Sequence, residues 1–167
     1  MGGGLGLLPP EPAFYRGLAA LPGVHTTVVT GKNQKLYQRL VGRYEGLTVL
    51  GYVDNVGELM ASADLMVSKA GGVTLFESLF RALPLLVPEP TLQQEVHNAA
   101  WAEAHGVAAV APRDPEGCLD AIVRLLADRN GLERMSKAAG QVCRTLEPHG
   151  LARCLKRLEK EGERHAA

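Results

Sequence analysis

Five short apolar stretches, each bounded by turn residues and followed by a segment of helical period, constrain this chain more than any other feature. They read "VHTTVVTG", "LTVLGYV", "DLMVSK", "PLLVPEP" and "VAAVAP". Between them lie "NQKLYQRLVGRY", "NVGELMASA", "VTLFESLFRAL" and "VHNAAWAEAHG", whose apolar residues recur at three- and four-residue spacing. Two more helical segments follow, "PEGCLDAIVRLLADR" and "GLERMSKAAGQVCRTL", the last with Leu132, Met135, Ala139 and Val142 on one side. Strands that are apolar on both faces and alternate with helices predict a parallel sheet covered on each side. The expected fold class is α/β, a Rossmann-like doubly wound parallel sheet. In such sheets ligands bind beyond the C-terminal ends of the strands, so the strand-to-helix junctions are where chemistry is expected.

The 167 residues suit a single domain, 1–167, with a sizeable core. Eighteen basic residues balance eighteen acidic ones, so no electrostatic attraction to nucleic acid is expected. The C-terminal "RCLKRLEKEGERH" interleaves both signs at helical spacing, as a solvated helix face does. Cys118, Cys143 and Cys154 form no CxxC pair and no metal spacing, which points to a reducing, cytoplasmic setting. No apolar run is long enough to cross a bilayer, and no charged-then-apolar leader is recognisable. His97, His105 and His149 lack partners at ligand spacing, so no metal is expected, and Trp101 is expected in the core beside Ala104.

Four junctions carry suggestive residues. The opening "MGGGLGLLPPEP" makes residues 1–11 a glycine-rich leader loop, with Gly3 and Gly4 at its centre. It does not fit GxGxxG, because Leu7 stands where the third glycine belongs. It is either a flexible leader or a phosphate-approaching loop whose strand lies upstream. After the first strand, "TGKN" offers Gly31 for close backbone approach and Lys32 as a cation, or simply a turn before a helix.

After the third strand, "SKAGGVTLFE" places Gly71 and Gly72 at a helix start, where unpaired amides and the dipole favour phosphate oxygens. Glu77 follows one turn later and has three readings. Thr74 to Glu77 spells a capping box, Glu77 and Arg81 are spaced for an i,i+4 pair, and the carboxylate could accept two vicinal hydroxyls of a ribose. After the fourth strand, "EPTLQQEVHN" clusters Gln93, Gln94, Glu95 and Asn98, which suits a polyhydroxylated ligand or an ordinary polar first turn.

Taken together, "TVVTGKNQKL", "LGYVDNVGELMASADLMVSKAGGVTLFESLFRALPLLVPEP" and "QQEVHNAAWAEAHGVA" resemble the C-terminal half of the MurG-like glycosyltransferases. The resemblance is nearest to diacylglycerol glucosyltransferases and monogalactosyldiacylglycerol synthases, and runs from about Gly2 to the helix after Ala111. It implies the donor-binding domain of a GT-B enzyme, with the N-terminal acceptor domain and the first strand of this domain absent. It also implies roles: Tyr52 and Val53 border the uracil, while Gly71, Gly72, Val73 and Thr74 face the pyrophosphate. Glu77 takes the ribose hydroxyls, and Gln94 and Glu95 touch the donor sugar. The "GGGLG" loop corresponds to the family's glycine loop. Two departures stand out: Ala82 replaces the usual glycine before "LP", and Gln93 replaces the glycine before the Gln-Glu pair.

The implied function is transfer of a hexose from a UDP-sugar to a lipid, diacylglycerol-type acceptor with inversion. The implied general base and the lipid contacts lie in the acceptor domain, so this chain alone is expected to bind donor and not to turn over. No cofactor is implied, and no DxD cluster suggests a metal. Peripheral contact with the inner face of a membrane, a partner chain or a homodimer fit the full-length enzyme. The alternatives are a UDP-sugar-binding subunit of a split enzyme, an arrangement resembling the dolichol-linked N-acetylglucosamine transferase, and a UDP-sugar epimerase. A purely structural Rossmann-like domain is the remaining one.

Overall fold

In the computed structural model, residues 1–146 are described except positions 4 and 7. Gly4, Cys154, His149 and the C-terminal charged run lie outside the described residues. All five expected strands form: β1 (Thr26–Val29), β2 (Leu47–Leu50), β3 (Met66–Val67), β4 (Leu85–Pro88) and β5 (Ala108–Ala111). Every pairing is parallel, in two ladders of order β1-β2 and β3-β4-β5. The helices are α1 (Pro12–Ala19), α2 (Gln34–Leu40), α3 (Val56–Ala61), α4 (Gly72–Phe80), α5 (Gln93–Ala104), α6 (Pro115–Ala127) and α7 (Arg129–Thr145). Only α1 was not expected. Its signal was present, because proline opens it and Phe14, Tyr15 and Leu18 are buried along one face.

The two-period alternation of β4 shows how the layers are built. Leu85 and Val87 enter one core with Leu75 and Leu79 of α4, Ala99 and Ala102 of α5, and Ala139 of α7. Leu86, between them, enters the opposite core with Phe14 of α1, Leu36 of α2 and Ile122 of α6. Successive side chains of a strand point to opposite faces, so both faces are covered and the sheet is doubly wound. On α7, Ala139 is buried and the other three expected core residues are half-buried, as the spacing required. The expectation for Trp101 holds in part, since it packs against this first core, but not beside Ala104. It is half-buried and stacks on the His105 ring at 4.3 Å, while Ala104 is exposed. The face of α5 that enters the core instead carries Glu95, Ala99 and Ala102, spaced four and three apart.

Helix ends follow local chemistry. Asn33, Asp114 and Asp128 each cap a helix by accepting from the third amide along. The end of α4 is a Schellman turn: Ala82 donates to Leu79 O and Leu83 donates to Ser78 O. That turn holds Ala82 at φ 50°, and no other non-glycine residue among the described ones has a positive φ. The departure from the family's usual glycine therefore has a backbone cost. Ala82→Gly is expected to raise stability by about 0.5–1 kcal/mol, read as a higher urea midpoint with unchanged slope.

Among the described residues, no helix is long and apolar enough to cross a membrane. Cys118 and Cys143 are free, and burial first, with Asp114 second, pushes the Cys118 thiol above its ordinary pKa. It is packing material, not a nucleophile.

Candidate functional site

The helix that follows β3 starts earlier than a capping box at Thr74 would allow. Gly71 is the N-cap, with no side chain to satisfy the amides, and Thr74 lies inside the first turn of α4. Leu75 N is the first amide with an intrahelical acceptor, Gly71 O. The amides of Gly72, Val73 and Thr74 therefore have no hydrogen-bond partner among the described residues. They are donors at the positive end of a helix.

Both sequence alternatives for Glu77 fail in the structure. Arg81 sends Nε to Gly57 O at 2.9 Å and Nη1 to the Glu77 backbone carbonyl, not to its carboxylate. The half-buried Glu77 carboxylate has no hydrogen bond or ion pair among the described residues. It shares a helix face with Val73 and Thr74, four and three residues before it. The twin glycines do not serve a left-handed turn. Neither has a positive φ, and a Cβ on Gly72 would meet nothing within 4 Å. Their lack of a side chain keeps the space above the free amides open.

Lys69, separated from the glycines by Ala70, gathers the surrounding parts and was assigned no role from sequence. Its Nζ donates to Glu95 Oε1 at 2.6 Å, bridging the end of β3 to the first turn of α5. A Cβ placed on Gly3 would stand 3.3 Å from Lys69 Cε, and one on Gly71 would stand 3.9 Å from it. The N-terminal glycine loop and the start of α4 thus flank one lysine. Asn98 adds a second tie, donating to Ala70 O at 2.8 Å. These contacts change the expectation for two residues of α5. The Glu95 side chain is 7% exposed and engaged by Lys69, so it does not face open solvent as a free sugar contact. Asn98 serves the backbone of the β3–α4 loop.

Gln94 is exposed without a partner among the described residues, and Gln93 pairs with His97 at 3.1 Å. Tyr52, 61% exposed, and Val53 follow β2, and their backbone groups have no hydrogen-bond partner among the described residues. Lys32 is exposed, whereas Gly31 is buried at φ 56° and forms the turn after β1. The residue that matters next to them is Asn33. It caps α2 and donates to Gly6 O at 3.1 Å, fixing the glycine loop at the C-terminal end of β1. Gly6 stands at φ 62°, and a Cβ there would lie only 1.9 Å from Thr30 O. Gly6→Ala is expected to lose about 3 kcal/mol of stability, checked by urea unfolding.

The strand ends therefore bring Gly3, Lys69, Gly71, Gly72, Val73, Thr74 and Glu95 together around one junction, with Glu77 on the adjoining face of α4. Among the described residues, no group of three His, Cys, Asp or Glu side chains could hold a metal.

Comparison with known proteins identifies the family. The glycosyltransferase family 28 C-terminal domain matches residues 17–164. The processive diacylglycerol beta-glucosyltransferase of Bacillus subtilis is 36% identical over 141 residues, covering 82% of this chain and 37% of that protein. Its counterpart in Bacillus cereus is 34% identical over 152 residues, covering 89% of this chain and 39% of its own length. The chain thus spans little more than a third of these relatives. Among solved structures, Acinetobacter baumannii MurG superposes with TM-score 0.73 over 96% of this chain and 48% of its own, at 21% identity. The spinosyn rhamnosyltransferase SpnG complexed with thymidine diphosphate gives TM-score 0.67 over 85% of this chain and 40% of its own, also at 21% identity. At that identity these two share the fold, that of a GT-B glycosyltransferase's Rossmann-like C-terminal domain. The chain belongs to the glycosyltransferase family 28 C-terminal domain family, and is homologous to the diacylglycerol glucosyltransferases.

Proposed function

We propose that this chain is the donor-binding part of an inverting glycosyltransferase that moves a hexose from a UDP-sugar to a diacylglycerol-type lipid. The observation that carries the reading is the start of α4, where three amides open onto unfilled space beside a carboxylate, all without a partner among the described residues. That combination suits a diphosphate next to a vicinal diol. In the proposed roles, Gly72, Val73 and Thr74 amides receive the diphosphate and Glu77 the ribose hydroxyls. The backbone of Tyr52 and Val53 borders the base, and Gln94 contacts the sugar. Lys69 stands behind the amides as a fixed cation. The names of the relatives support the sugar, the acceptor and the β-linked product.

Helix-start amides and a nearby cation stabilise a diphosphate most when negative charge builds on it, as it does while the sugar leaves. The chain's own residues thus hold the leaving group and align the anomeric carbon. The general base and the lipid contacts are assigned to polypeptide beyond this third of the enzyme.

Titration of uridine diphosphate into the chain tests the reading, with adenosine diphosphate as control. Saturable heat with uridine preference is expected, and no binding at millimolar ligand would remove the proposal. Gly72→Ala sharpens the test. A methyl there touches nothing in the fold, so stability should hold or rise by about 0.5 kcal/mol. The same methyl enters the space reserved for phosphate, and the affinity should fall at least tenfold.

An epimerase reading draws on the fold likeness to a UDP-N-acetylglucosamine 2-epimerase of Listeria monocytogenes, TM-score 0.61 at 14% identity over 80% of this chain. Conversion of a UDP-sugar by the intact enzyme without any acceptor would favour it.

A further inference from the structure

Arg81 is the C-cap of α4, where a cation is favoured by the helix dipole alone. Its hydrogen bonds go beyond that. Long side chains on a helix lean toward the N-terminus, so the guanidinium reaches back over the turn that carries Glu77. From there Nη1 donates to the Glu77 carbonyl at 3.3 Å, and Nε donates to Gly57 O of α3 at 2.9 Å. One planar group with donors in a fixed fork therefore joins the two helices.

Gly57 is shaped to that contact. It has no positive φ, so its backbone conformation does not call for glycine. The arginine does. A Cβ at Gly57 would run into Arg81 Nη2 and stand 3.1 Å from Cζ. The missing side chain lets the guanidinium lie against the backbone of α3.

The bond matters because of what it holds. Residues 52–55 lead from β2 into α3, and the Asn55 side chain bonds to Glu58 of that same helix at 2.9 Å. Among the described residues, the Arg81 bond to Gly57 O is the only hydrogen bond joining residues 52–57 to another element. The apolar anchors of α3 are Val56, at the margin of the core, and Met60, inside it with Leu75 and Leu79 of α4. The start of α3 thus has one polar tie, and it ends on the turn of α4 that carries Glu77.

The proposed donor contacts divide along this tie. The diphosphate amides and Glu77 belong to α4, whereas Tyr52 and Val53 belong to the segment that Arg81 holds. In a nucleoside one bond fixes the base to the ribose, so a site must grip both at a set spacing. A purine, with two rings, needs a wider spacing than a pyrimidine. We propose that Arg81 is a positioning residue for the nucleoside, acting through Gly57 to fix the base border relative to Glu77 and so setting the preference for uridine over adenosine. This deepens the donor reading and rests on it.

Calorimetric titration of uridine diphosphate, adenosine diphosphate and inorganic diphosphate into wild type, Arg81→Met and Gly57→Ala tests the assignment. Methionine keeps an apolar stem and removes the donors. Alanine at 57 keeps the arginine and displaces its guanidinium, so the two variants break the same contact from opposite sides. Each is expected to weaken uridine diphosphate about tenfold, the loss expected for one hydrogen bond from a charged group. Inorganic diphosphate and adenosine diphosphate should stay within about twofold of wild type, so uridine preference falls by about the factor lost. The double variant should lose no more than the worse single one, because both remove one interaction. Equal loss of uridine diphosphate and inorganic diphosphate would make Arg81 a charge acting on phosphate and overturn the proposal. Unchanged affinity in both variants, with a lower Tm alone, would reduce Arg81 to an end cap of α4 and overturn it too. A wild-type chain without uridine preference would instead end the donor reading itself, and this assignment with it.

Discussion

Replacing Glu77 with alanine is expected to weaken uridine diphosphate binding roughly 10- to 150-fold while leaving the fold intact, the range that follows from losing about 1.5–3 kcal/mol of hydrogen bonding to a charged group. The separation of the two effects rests on the carboxylate having no partner within the described residues, so nothing in the protein is orphaned by its removal. Tm should therefore move by no more than a degree or two. Glu77→Gln keeps the size and one acceptor but loses the charge, and should fall between wild type and alanine. The ligand can be varied in the same cycle. Removing a ribose hydroxyl should weaken binding to wild type and make little difference to the alanine variant, because the partner is already gone. An alanine variant that binds as wild type does would return Glu77 to the solvent-facing side of an ordinary helix.

The second large effect is on stability and comes from an asymmetry in burial. In the Lys69–Glu95 pair the lysine side chain is 40% exposed and the glutamate only 7%. Lys69→Met strands the glutamate in the core without its counterion, at a cost of about 3 kcal/mol and roughly 6–12 °C in Tm. Glu95→Gln leaves a lysine that water can still reach, and should cost only about 1 kcal/mol. The double substitution should recover part of the Lys69→Met loss, since no buried charge then remains unpaired. Thermal and urea unfolding of the three variants decide the matter, and equal losses in both single variants would show that the pair is held as a surface contact.

The fold was legible to the extent that it follows from pattern. Residues such as Leu85 to Val87 are apolar without alternation because both faces of β4 are buried, and that fact alone distinguishes a covered parallel strand. The site was legible at the level of junctions. Gly71, Gly72 and Glu77 were singled out from spacing and resemblance, and the amides that follow the Gly71 N-cap and the Glu77 carboxylate have no partner among the described residues. Capping boxes are read from local order, and T-x-x-E does not form one here because the N-cap lies three residues earlier, at Gly71. Where a helix starts after a strand depends on where that strand stops pairing and on what holds the loop, here Asn98 of α5 on Ala70 O.

Lys69 and Glu95 lie 26 residues apart in the chain and 2.6 Å apart in space, and no local signal links them. The same is true of Asn33 and Gly6, 27 residues apart, which set the glycine loop over β1. Sequence by itself determined which segments are strands and helices, that both faces of the sheet are covered, and which junction carries the free amides, since these depend on periodicity and neighbouring residues. Tertiary structure alone decided strand order and the conversion of Glu95 from a free acid into the counterion of Lys69. Those outcomes depend on contacts between distant segments, and burial sets their energies only once the chain has closed on itself.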